Sequence, residues 1–399
     1  MQTAVIVDAV RTPLGRRNGS LKGNHPVDLA AHTLRALVER TGIDPALIED
    51  VIMGCVMQVG DQGLNVGRNA ALAAGFPESV VGTTIDRQCG SSQQAAHFAA
   101  QGVMAGAYDV VIAAGVEAVS RYQFGAADTA PNPVFKGPGE RTKLRALGGQ
   151  PVWTPQEGLA DAYMAMGQTA ENVREVEGVS REDMDWFAKR SQDLASANVS
   201  NGFFDAEISP LTLEDGTVVS KDDCPREGTT LEGLAGLKPA FRPDGQVTAG
   251  NACPLNDGAA AVMVMSDTKA KALGLTPLAR FVSSGVSSLN PEIMGLGPVE
   301  ACRQAMKRAG MSINDIDLVE INEAFAAQVL PSAKHLGISM DKLNINGGAI
   351  ALGHPFGMTG ARIMTTLIHG LQASNKNVGM ETMCVGGGQG LSMIIERMS

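Results

Sequence analysis

Apolar runs and helical repeats alternate along the first part of the chain. Short apolar runs predict strands, and apolar residues that recur every three or four positions predict helices. In chain order the pattern predicts a strand at 5–10, a helix at 28–41, a strand at 51–56, a helix at 66–74, a strand at 81–85, a helix at 91–105 and a strand at 110–114. This alternation favours right-handed crossovers and a largely parallel sheet.

The regular pattern lapses after Ser120 and resumes near residue 258. Between them, helical spacing is seen only near 160–175 and 181–198. Long irregular segments in a compact protein commonly carry function. We therefore expect residues 121–250 to form an inserted loop domain or lid that binds a ligand.

The remainder of the chain restores the alternation of strands and helices. The pattern predicts strands at 258–266, 279–284, 316–321, 378–384 and 391–397, and helices at 299–309, 324–336 and 360–371. We expect two α/β halves: residues 1–120 with 251–276 form the first, 121–250 are inserted in it, and 277–399 form the second. Ligand sites favour the interface between such halves.

Charge and composition exclude several classes of protein. The formal net charge of −10, without a run of lysine or arginine, argues against nucleic acid as a partner. The apolar N-terminal run is too short for a signal peptide and is interrupted by Asp8. No segment approaches the ~20 apolar residues of a membrane span, so we expect a cytoplasmic protein. None of the six cysteines forms a C-x-x-C pair, which argues against structural zinc.

Cys89 stands at the start of an unusually uncharged stretch. Residues 88–108 contain no Asp, Glu, Lys or Arg and include the helix predicted at 91–105. An uncharged helix is normally buried, and the positive end of a helix stabilises a thiolate. A cysteine there can have a pKa one or more units below the usual ~8.5. We expect Cys89 to be a nucleophile; the alternative is a buried, inert thiol.

A nucleophilic thiol needs a base, and the chain has six histidines. His97 lies on the same predicted helix, ~12 Å along its axis, and cannot contact Cys89 directly. His354 lies in the uncharged stretch 343–361, where several glycines permit tight turns before a helix. His354 is the favoured base; the other histidines are expected to pack or lie at the surface.

A third uncharged stretch covers residues 383–395 and begins with Met383 and Cys384. The glycines that follow Cys384 expose backbone N–H groups, which could stabilise an oxyanion. The alternative is a glycine-rich turn before the last strand. The glycines do not form a dinucleotide-binding fingerprint, because no phosphate-binding helix follows.

Four short motifs, taken in order, resemble the signature motifs of the thiolases. They are Cys89-Gly-Ser-Ser, Asn322-Glu-Ala-Phe, Gly353-His354-Pro355 and Cys384-Val-Gly. The segment 251–261, NACPLNDGAAA, is also similar to a thiolase segment, and the resemblance spans essentially the whole chain.

The resemblance implies both a fold and a reaction. Thiolases have two similar halves stacked in five layers, α-β-α-β-α, with a loop domain inserted in the first half. They cleave 3-oxoacyl-CoA with CoA, or condense two acyl-CoA molecules. It further implies a homodimer or homotetramer, acyl-CoA and CoA as the partners, and no permanently bound metal or redox cofactor.

The resemblance also assigns roles to residues of the four motifs. Cys89 would attack the substrate and carry the acyl group, and His354 would take the Cys89 proton. Cys384 would exchange a proton with C2 of the substrate. Asn322 would position a water that stabilises an enolate, and the backbone N–H groups of Cys89 and Gly386 would form an oxyanion hole.

Further positions resemble the family's substrate contacts. Arg226, in the inserted segment, matches an arginine near the CoA nucleotide. Five residues match positions that line the pantetheine and acyl pocket, although ordinary core packing is an alternative for each: Met166, Phe241, Met294, Ala324 and Phe325.

The sequence departs from the pattern of short-chain thiolases. Ala165 and Cys253 stand where those enzymes commonly have histidine and serine, and Phe356 and Met358 are less common in their motif. These departures favour a degradative enzyme that accepts larger or unusual acyl groups.

Several alternatives remain open from the sequence. One is a biosynthetic acetyl-CoA acetyltransferase that makes acetoacetyl-CoA. Another is a β-ketoacyl synthase, although Asn322 and Cys384 do not fit its Cys-His-His set. A non-catalytic protein that binds CoA or lipid, and a cysteine hydrolase, are weaker alternatives.

Overall fold

The computed structural model describes residues 2–122 and 132–399. Within these residues, strands are numbered in chain order: β1 Ala4–Arg11, β2 Gly15–Arg16, β3 Asp50–Gly54, β4 Val81–Ile85, β5 Val110–Ala118, β6 Leu211–Thr212, β7 Val218–Val219, β8 Asn256–Ser266, β9 Ala279–Ser288, β10 Leu318–Ile321, β11 Val378–Val385 and β12 Gln389–Arg397.

The α-helices of the same residues are numbered likewise: α1 Pro26–Thr41, α2 Val66–Ala73, α3 Ser91–Ala105, α4 Lys136–Ala146, α5 Met166–Glu177, α6 Arg181–Ser200, α7 Leu231–Ala235, α8 Asp267–Ala272, α9 Gly297–Ala309, α10 Ala326–Leu336, α11 Ala349–Leu352 and α12 Thr359–Ala373.

The strands and helices predicted for the two halves are all present, with ends shifted by a few residues. The helix predicted after Cys89 has the predicted bounds, because Gly106 in the left-handed region (φ 77°) ends it. The sequence pattern missed elements that are short or polar, namely β2, α4, α7, α8, α11 and the small hairpin of β6 and β7. Part of the predicted insertion, residues 123–131, lies outside the described residues.

Nine strands of the main sheet follow the order β10-β11-β12-β9-β1-β8-β5-β3-β4, and β2 pairs with β8. Only β3 with β4, β3 with β5, and β10 with β11 pair in parallel. The prediction of a largely parallel sheet is therefore wrong. The chain enters β8 from the inserted segment and β12 from a tight turn, so neither strand follows a crossover helix.

Five layers nevertheless form, as predicted, because β1 and β9 are joined by only two residue pairs and the strands on either side of this junction form separate layers. Helix α12 packs on β1, β5 and β8 of the first half and on β10, β11 and β12 of the second, and α3 packs beside it. These two helices form the central layer. Helices α1 and α2 cover the outer face of the first half, and α9 covers the outer face of the second.

Small residues allow the two central helices to approach closely. A Cβ on Gly360 of α12 would lie 2.1 Å from the backbone nitrogen of Gln93 on α3, so only glycine fits there. Beside this contact, the backbone N–H of Ala361 donates a 2.9 Å hydrogen bond to Oγ of Ser92. The first turn of each helix is thereby joined to the first turn of the other.

A buried ionic cluster anchors the inserted segment to β1. Arg11 is fully buried and donates hydrogen bonds to Glu207 at 2.5 Å and to Asp222 at 2.7 and 2.9 Å. Burial opposes the charge, but the two carboxylates raise the pKa of Arg11 above its ordinary value. These ion pairs attach this part of the inserted segment to β1. The domain boundaries stay a prediction.

Among the residues that the structure describes, no helix combines the length and the apolar character needed to cross a bilayer.

Candidate active site

Cys89 lies in a tight turn just before α3 begins at Ser91. Oγ of Ser91 donates to the carbonyl of Gln88 at 2.6 Å and accepts from the backbone N–H of Arg87 at 3.0 Å. These bonds close the turn and leave Cys89 partly buried. The predicted placement of a thiol at the start of a buried helix is confirmed.

The prediction of a lowered pKa for this thiol is wrong. Burial raises the pKa of Cys89 to about 12, and the backbone N–H groups of Cys89 and Gly386 act in the opposite direction. The loss of water around the sulfur therefore outweighs the effect of these two N–H groups. Because these two N–H groups favour the thiolate, they must lie close to the sulfur. The resting group is a thiol, so a base has to remove its proton during reaction.

His354 follows α11 in a loop whose shape depends on Gly353. Gly353 has φ +119°, and a Cβ there would lie 2.5 Å from Cγ of Asn256. Oδ1 of Asn256, in turn, accepts the backbone N–H of His354 at 3.0 Å. The glycine therefore lets an asparagine of the first half hold the backbone of a histidine of the second.

The imidazole of His354 is buried among named partners. Nδ1 lies 2.6 Å from Oγ1 of Thr359. Nδ2 of Asn322 lies 3.3 Å from Nε2 and 3.4 Å from Nδ1. Burial, and then the charge of Arg362, lower the pKa of His354 to about 3. The ring is therefore neutral at physiological pH, as a base must be.

Cys384 lies near the end of β11 and is fully buried. Burial raises its pKa well above the ordinary value, and the thiols of Cys89 and then Cys253 add to this shift. Cys384 packs in the same apolar cluster as Ala324 and Phe325, and Cys253 packs against this cluster. Within residues 2–122 and 132–399, no group of His, Cys, Asp and Glu side chains is arranged to hold a metal ion.

Asn322 follows β10 and lies beside β11, because its backbone N–H donates to the carbonyl of Thr382 at 3.0 Å. Its backbone carbonyl accepts from Nε2 of Gln328 at 2.7 Å. Its side-chain Oδ1 is buried and has no hydrogen-bond partner among the described residues. A buried acceptor without a partner is costly, so this atom is suited to accept from a water or a substrate group.

The glutamate of the same motif has a structural role. Glu323 is fully buried and accepts from Oγ of Ser191 at 2.6 Å, from Nδ2 of Asn344 at 2.8 Å and from the backbone N–H of Ile350 at 3.1 Å. Asn344 and Ile350 belong to the segment that leads to His354. Glu323 thus fixes the approach to the imidazole.

A second buried carboxylate holds the loop that follows His354. Glu117 of β5 accepts the backbone N–H of Gly357 at 2.9 Å and those of Val56 and Met57 at 3.0 and 3.2 Å. It also accepts from Nε2 of Gln62 at 2.7 Å. The first half therefore binds the His354 loop on both sides of the histidine.

A cavity of about 410 Å³ opens at Cys89 and His354. None of its lining residues is charged: they are Cys89, Met164, Ala165, Met166, Gly167, Phe241, Ala252, Cys253, Leu255, Met294, Ala324, Phe325, His354 and Phe356. The rings of Phe241 and Phe325 meet edge to face, with centroids 5.9 Å apart. All five residues that the sequence placed in the pantetheine and acyl pocket lie on this wall.

The structure does not bring every predicted contact to the cavity wall. Arg226 is exposed and lies outside the lining, although its backbone N–H donates to Oε1 of Gln192 at 2.8 Å. Asn322 and Cys384 are also absent from the lining, although Asn322 contacts the ring of His354 and Cys384 packs in the same apolar cluster as Ala324. The sequence missed Thr359 and Asn256. A threonine at the start of the helix after His354 was the available signal for the first.

Comparisons with known proteins agree with this geometry. The family model described as "Thiolase, N-terminal domain" matches residues 4–268, and "Thiolase, C-terminal domain" matches 275–397. A "3-ketoacyl-CoA thiolase" of Aliivibrio fischeri and an "Acetyl-CoA acetyltransferase" of Escherichia coli are each 44% identical over 100% of both chains. The crystal structure of the Bacillus anthracis acetyl-CoA acetyltransferase has 42% identity and a TM-score of 0.87, and the match covers 100% of this chain and 99% of that chain.

Proposed function

The chain belongs to the thiolase family, and we propose that it catalyses the cleavage of 3-oxoacyl-CoA by CoA, giving acetyl-CoA and a shortened acyl-CoA. It is an acyltransferase, as its motifs predict. The observation that supports the proposal is that Cys89 and His354 line one uncharged cavity, and that Cys384 packs in the apolar cluster that forms part of its wall. Two thiols and one neutral imidazole provide a nucleophile, a carbon acid/base and a proton acceptor.

In the first step, the sulfur of Cys89 attacks the C3 carbonyl carbon of the substrate. Its proton passes to Nε2 of His354 as the carbon–sulfur bond forms. The raised pKa of Cys89 makes this transfer necessary, and the lowered pKa of His354 leaves the ring free to accept the proton. The carbonyl oxygen becomes an oxyanion that the backbone N–H groups of Cys89 and Gly386 stabilise.

In the second step, the bond between C2 and C3 breaks and its electron pair passes into the enolate of acetyl-CoA. The S–H of Cys384 protonates C2, and the oxyanion collapses to a thioester on Cys89. Asn322, through its unpartnered Oδ1, would hold a water that, with His354, stabilises the enolate oxygen. Free CoA then donates its thiol proton to the Cys384 thiolate and attacks the thioester, which releases the sulfur of Cys89 as a thiolate. The protonated His354 returns its proton to this sulfur, so that both Cys89 and His354 regain their starting states.

The cavity favours an apolar acyl group. Its uncharged wall offers no partner for a carboxylate on the acyl chain, and Ala165 leaves space where a histidine would stand in short-chain thiolases. CoA acts as a substrate. Arg226, exposed on the inserted segment, would contact the CoA nucleotide outside the cavity.

We also propose that the chain forms a homo-oligomer, either a dimer or a tetramer. Strand β4 ends the main sheet, pairs with β3 alone among the described strands, and exposes Val81 by 53%. An edge strand left in this state is suited to pair with another copy. Light scattering coupled to size-exclusion chromatography measures the assembly. A cytoplasmic location and the lack of a permanent cofactor stay predictions.

The function is tested with a panel of 3-oxoacyl-CoA substrates of increasing chain length, each mixed with CoA. We expect acetyl-CoA and the shortened acyl-CoA as products, and an acyl adduct on Cys89 in mass spectra when CoA is withheld. Decarboxylative condensation of a malonyl thioester without thiolysis would favour a β-ketoacyl synthase. Thioester hydrolysis without CoA would favour a hydrolase. The lack of any acyl adduct would favour a non-catalytic protein.

The direction of reaction is tested with the same enzyme and acetyl-CoA alone. Acetoacetyl-CoA as the preferred product, with poor cleavage of longer substrates, would favour the biosynthetic acetyltransferase over the degradative enzyme.

A further inference from the structure

The hydroxyl of Thr359 is the nearest polar group to Nδ1 of His354 among their recorded hydrogen bonds, and both side chains are buried. We infer that Thr359 is a positioning residue: it fixes His354 in the tautomer that has hydrogen on Nδ1 and a free lone pair on Nε2. The inference rests on the proposed role of His354 as the base for Cys89.

The direction of the hydrogen bond follows from the single hydrogen that the threonine hydroxyl carries. Oγ1 of Thr359 lies 2.7 Å from the carbonyl oxygen of Pro355, which can only accept. The hydroxyl hydrogen is therefore committed to Pro355. Oγ1 then faces Nδ1 of His354, at 2.6 Å, with a lone pair. A short contact between two lone pairs would be repulsive, so Nδ1 carries the hydrogen.

The Asn322 side chain contacts the same ring without selecting either nitrogen. Its Nδ2 lies 3.3 Å from Nε2 and 3.4 Å from Nδ1 of His354. An atom almost equidistant from both ring nitrogens does not lie along the lone pair of either one. The tautomer assignment therefore rests on the Thr359 and Pro355 contacts.

The tautomer matters because the neutral ring has only one basic nitrogen. With hydrogen on Nδ1, the base is Nε2, the nitrogen remote from Thr359. With hydrogen on Nε2, the lone pair would point at Thr359 and could not accept a proton from Cys89. A wrong tautomer in a comparable catalytic arrangement lowers turnover by orders of magnitude.

The test compares two substitutions at this position. Thr359→Ser keeps the hydroxyl and should retain kcat within about threefold. Thr359→Val keeps the shape but removes the hydroxyl, and should lower the rate of acyl-enzyme formation by about tenfold or more, the scale of one lost buried hydrogen bond, with little change in KM. Thr365→Val is the matched control, because Thr365 is equally buried on α12 and its hydroxyl donates to Ala361 at 2.8 Å, away from His354.

A spectroscopic measurement reports the tautomer directly. The ¹⁵N spectrum of protein labelled at histidine, with the His354 signals assigned from His354→Gln, should show a protonated Nδ1 and an unprotonated Nε2. Thr359→Ser should preserve this pattern, and Thr359→Val should lose it. An Nε2-protonated ring in the unmodified protein would overturn the inference, as would a Thr359→Val enzyme with unchanged rate and spectrum.

This measurement separates the inference from the proposed function. A protein that shows the Nδ1 tautomer but cleaves no 3-oxoacyl-CoA would refute the function and leave the tautomer assignment standing. A protein that cleaves the substrate but has hydrogen on Nε2 of His354 would refute the tautomer assignment and leave the proposed function standing. Should Thr359→Val fail to fold, the spectra of the unmodified protein and of Thr359→Ser still decide.

Discussion

The backbone N–H of Ala361 donates a hydrogen bond to Oγ of Ser92 at 2.9 Å, and both residues are fully buried. Ser92 lies three residues after Cys89, and Ala361 lies seven residues after His354. This bond therefore joins the helix that follows Cys89 to the helix that follows His354. It is one of the contacts that fix the separation of the proposed nucleophile and the proposed base.

Ser92→Ala should reduce both stability and activity. The substitution leaves the Ala361 N–H buried without an acceptor, which costs about 1–3 kcal/mol of unfolding free energy. It also loosens the contact between α3 and α12, so kcat should fall together with stability. Urea unfolding and thiolysis kinetics measure the two effects.

A suitable control for Ser92→Ala is Thr33→Val in α1. Thr33 is equally buried, and its hydroxyl donates only to the Ala30 carbonyl, at 2.8 Å. This variant should change stability but leave kcat unaltered. Equal kcat in Ser92→Ala and the control would contradict the role assigned to the contact.

Cys89→Ala should abolish thiolysis and the covalent acyl adduct, because it removes the sulfur that attacks C3 in the proposed mechanism. We expect a loss of kcat/KM beyond about 10³-fold, with CoA binding retained. Mass spectrometry after exposure to an acyl-CoA is the direct measurement. An acyl adduct that persists on another residue of the variant would show that the nucleophile has been misassigned.

Cys384→Ser should separate the two chemical steps. The hydroxyl is a far weaker acid than the thiol, so proton exchange at C2 of acetyl-CoA in D₂O should be suppressed. Acylation of Cys89 by an acyl-CoA should remain partly intact, because it needs Cys89 and His354. Full exchange in this variant would refute the division of roles between the two thiols.

Gly353→Ala should disturb the histidine itself. The added Cβ would lie 2.5 Å from Cγ of Asn256, and the alanine would have to adopt the positive φ of +119° that glycine has there. We expect the free energy of unfolding to fall by more than about 2 kcal/mol. We also expect a severe loss of kcat, because the Asn256 side chain would move away from the backbone N–H of His354.

The control for this substitution is Gly310→Ala at the end of α9. Gly310 has φ +67° and no atom within 4 Å of an added Cβ. The Gly310→Ala variant should therefore lose about 1–2 kcal/mol of unfolding free energy from backbone strain alone and keep its activity. Similar activities for the two variants would show that the Gly353 position does not set the histidine.

The pKa of His97 predicts how the free energy of unfolding depends on pH. Burial, then the charges of Arg87 and Arg308, lower its pKa from 6.5 to about 3 in the folded chain. Between these values the unfolded chain binds a proton that the folded chain does not, so folding stability decreases as pH falls from about 6.5 towards 3. The contribution of His97 to the free energy of unfolding changes by up to about 1.4 kcal/mol per pH unit.

His97→Gln isolates this contribution, because glutamine does not titrate. The excess stability of the unmodified protein over the variant should shrink as pH is lowered from about 7 to about 5. Urea unfolding at a fixed protomer concentration measures the difference, and the titration of His354 cancels in it. A difference that is constant with pH would contradict the burial of a neutral imidazole at position 97.

The sequence predicted the parts of the fold and site that depend on local pattern. Uncharged stretches and motif order located Cys89, His354 and Cys384, because each stands at the end of a strongly patterned element. The direction of β8 was missed, since nothing local in an apolar run records which neighbours it will pair with. The pKa of Cys89 was predicted with the wrong sign, because the removal of water around a sulfur depends on residues from distant parts of the chain.

The sequence analysis also missed the residues that support the candidate site. Glu117, Asn256 and Thr359 act by holding a loop or a ring, and two of these three bond to residues more than 90 positions away. Thr359 is close in sequence to His354, but its role depends on where its single hydrogen goes. That is settled by the position of the Pro355 carbonyl, which only the folded chain defines.

Gly360 leaves no room for even one methyl group where the two central helices cross. A larger side chain at this crossing would therefore fit only if one helix moved away from the other. Because the proposed nucleophile and the proposed base come from different halves of the chain, neither half expressed alone is expected to cleave the substrate.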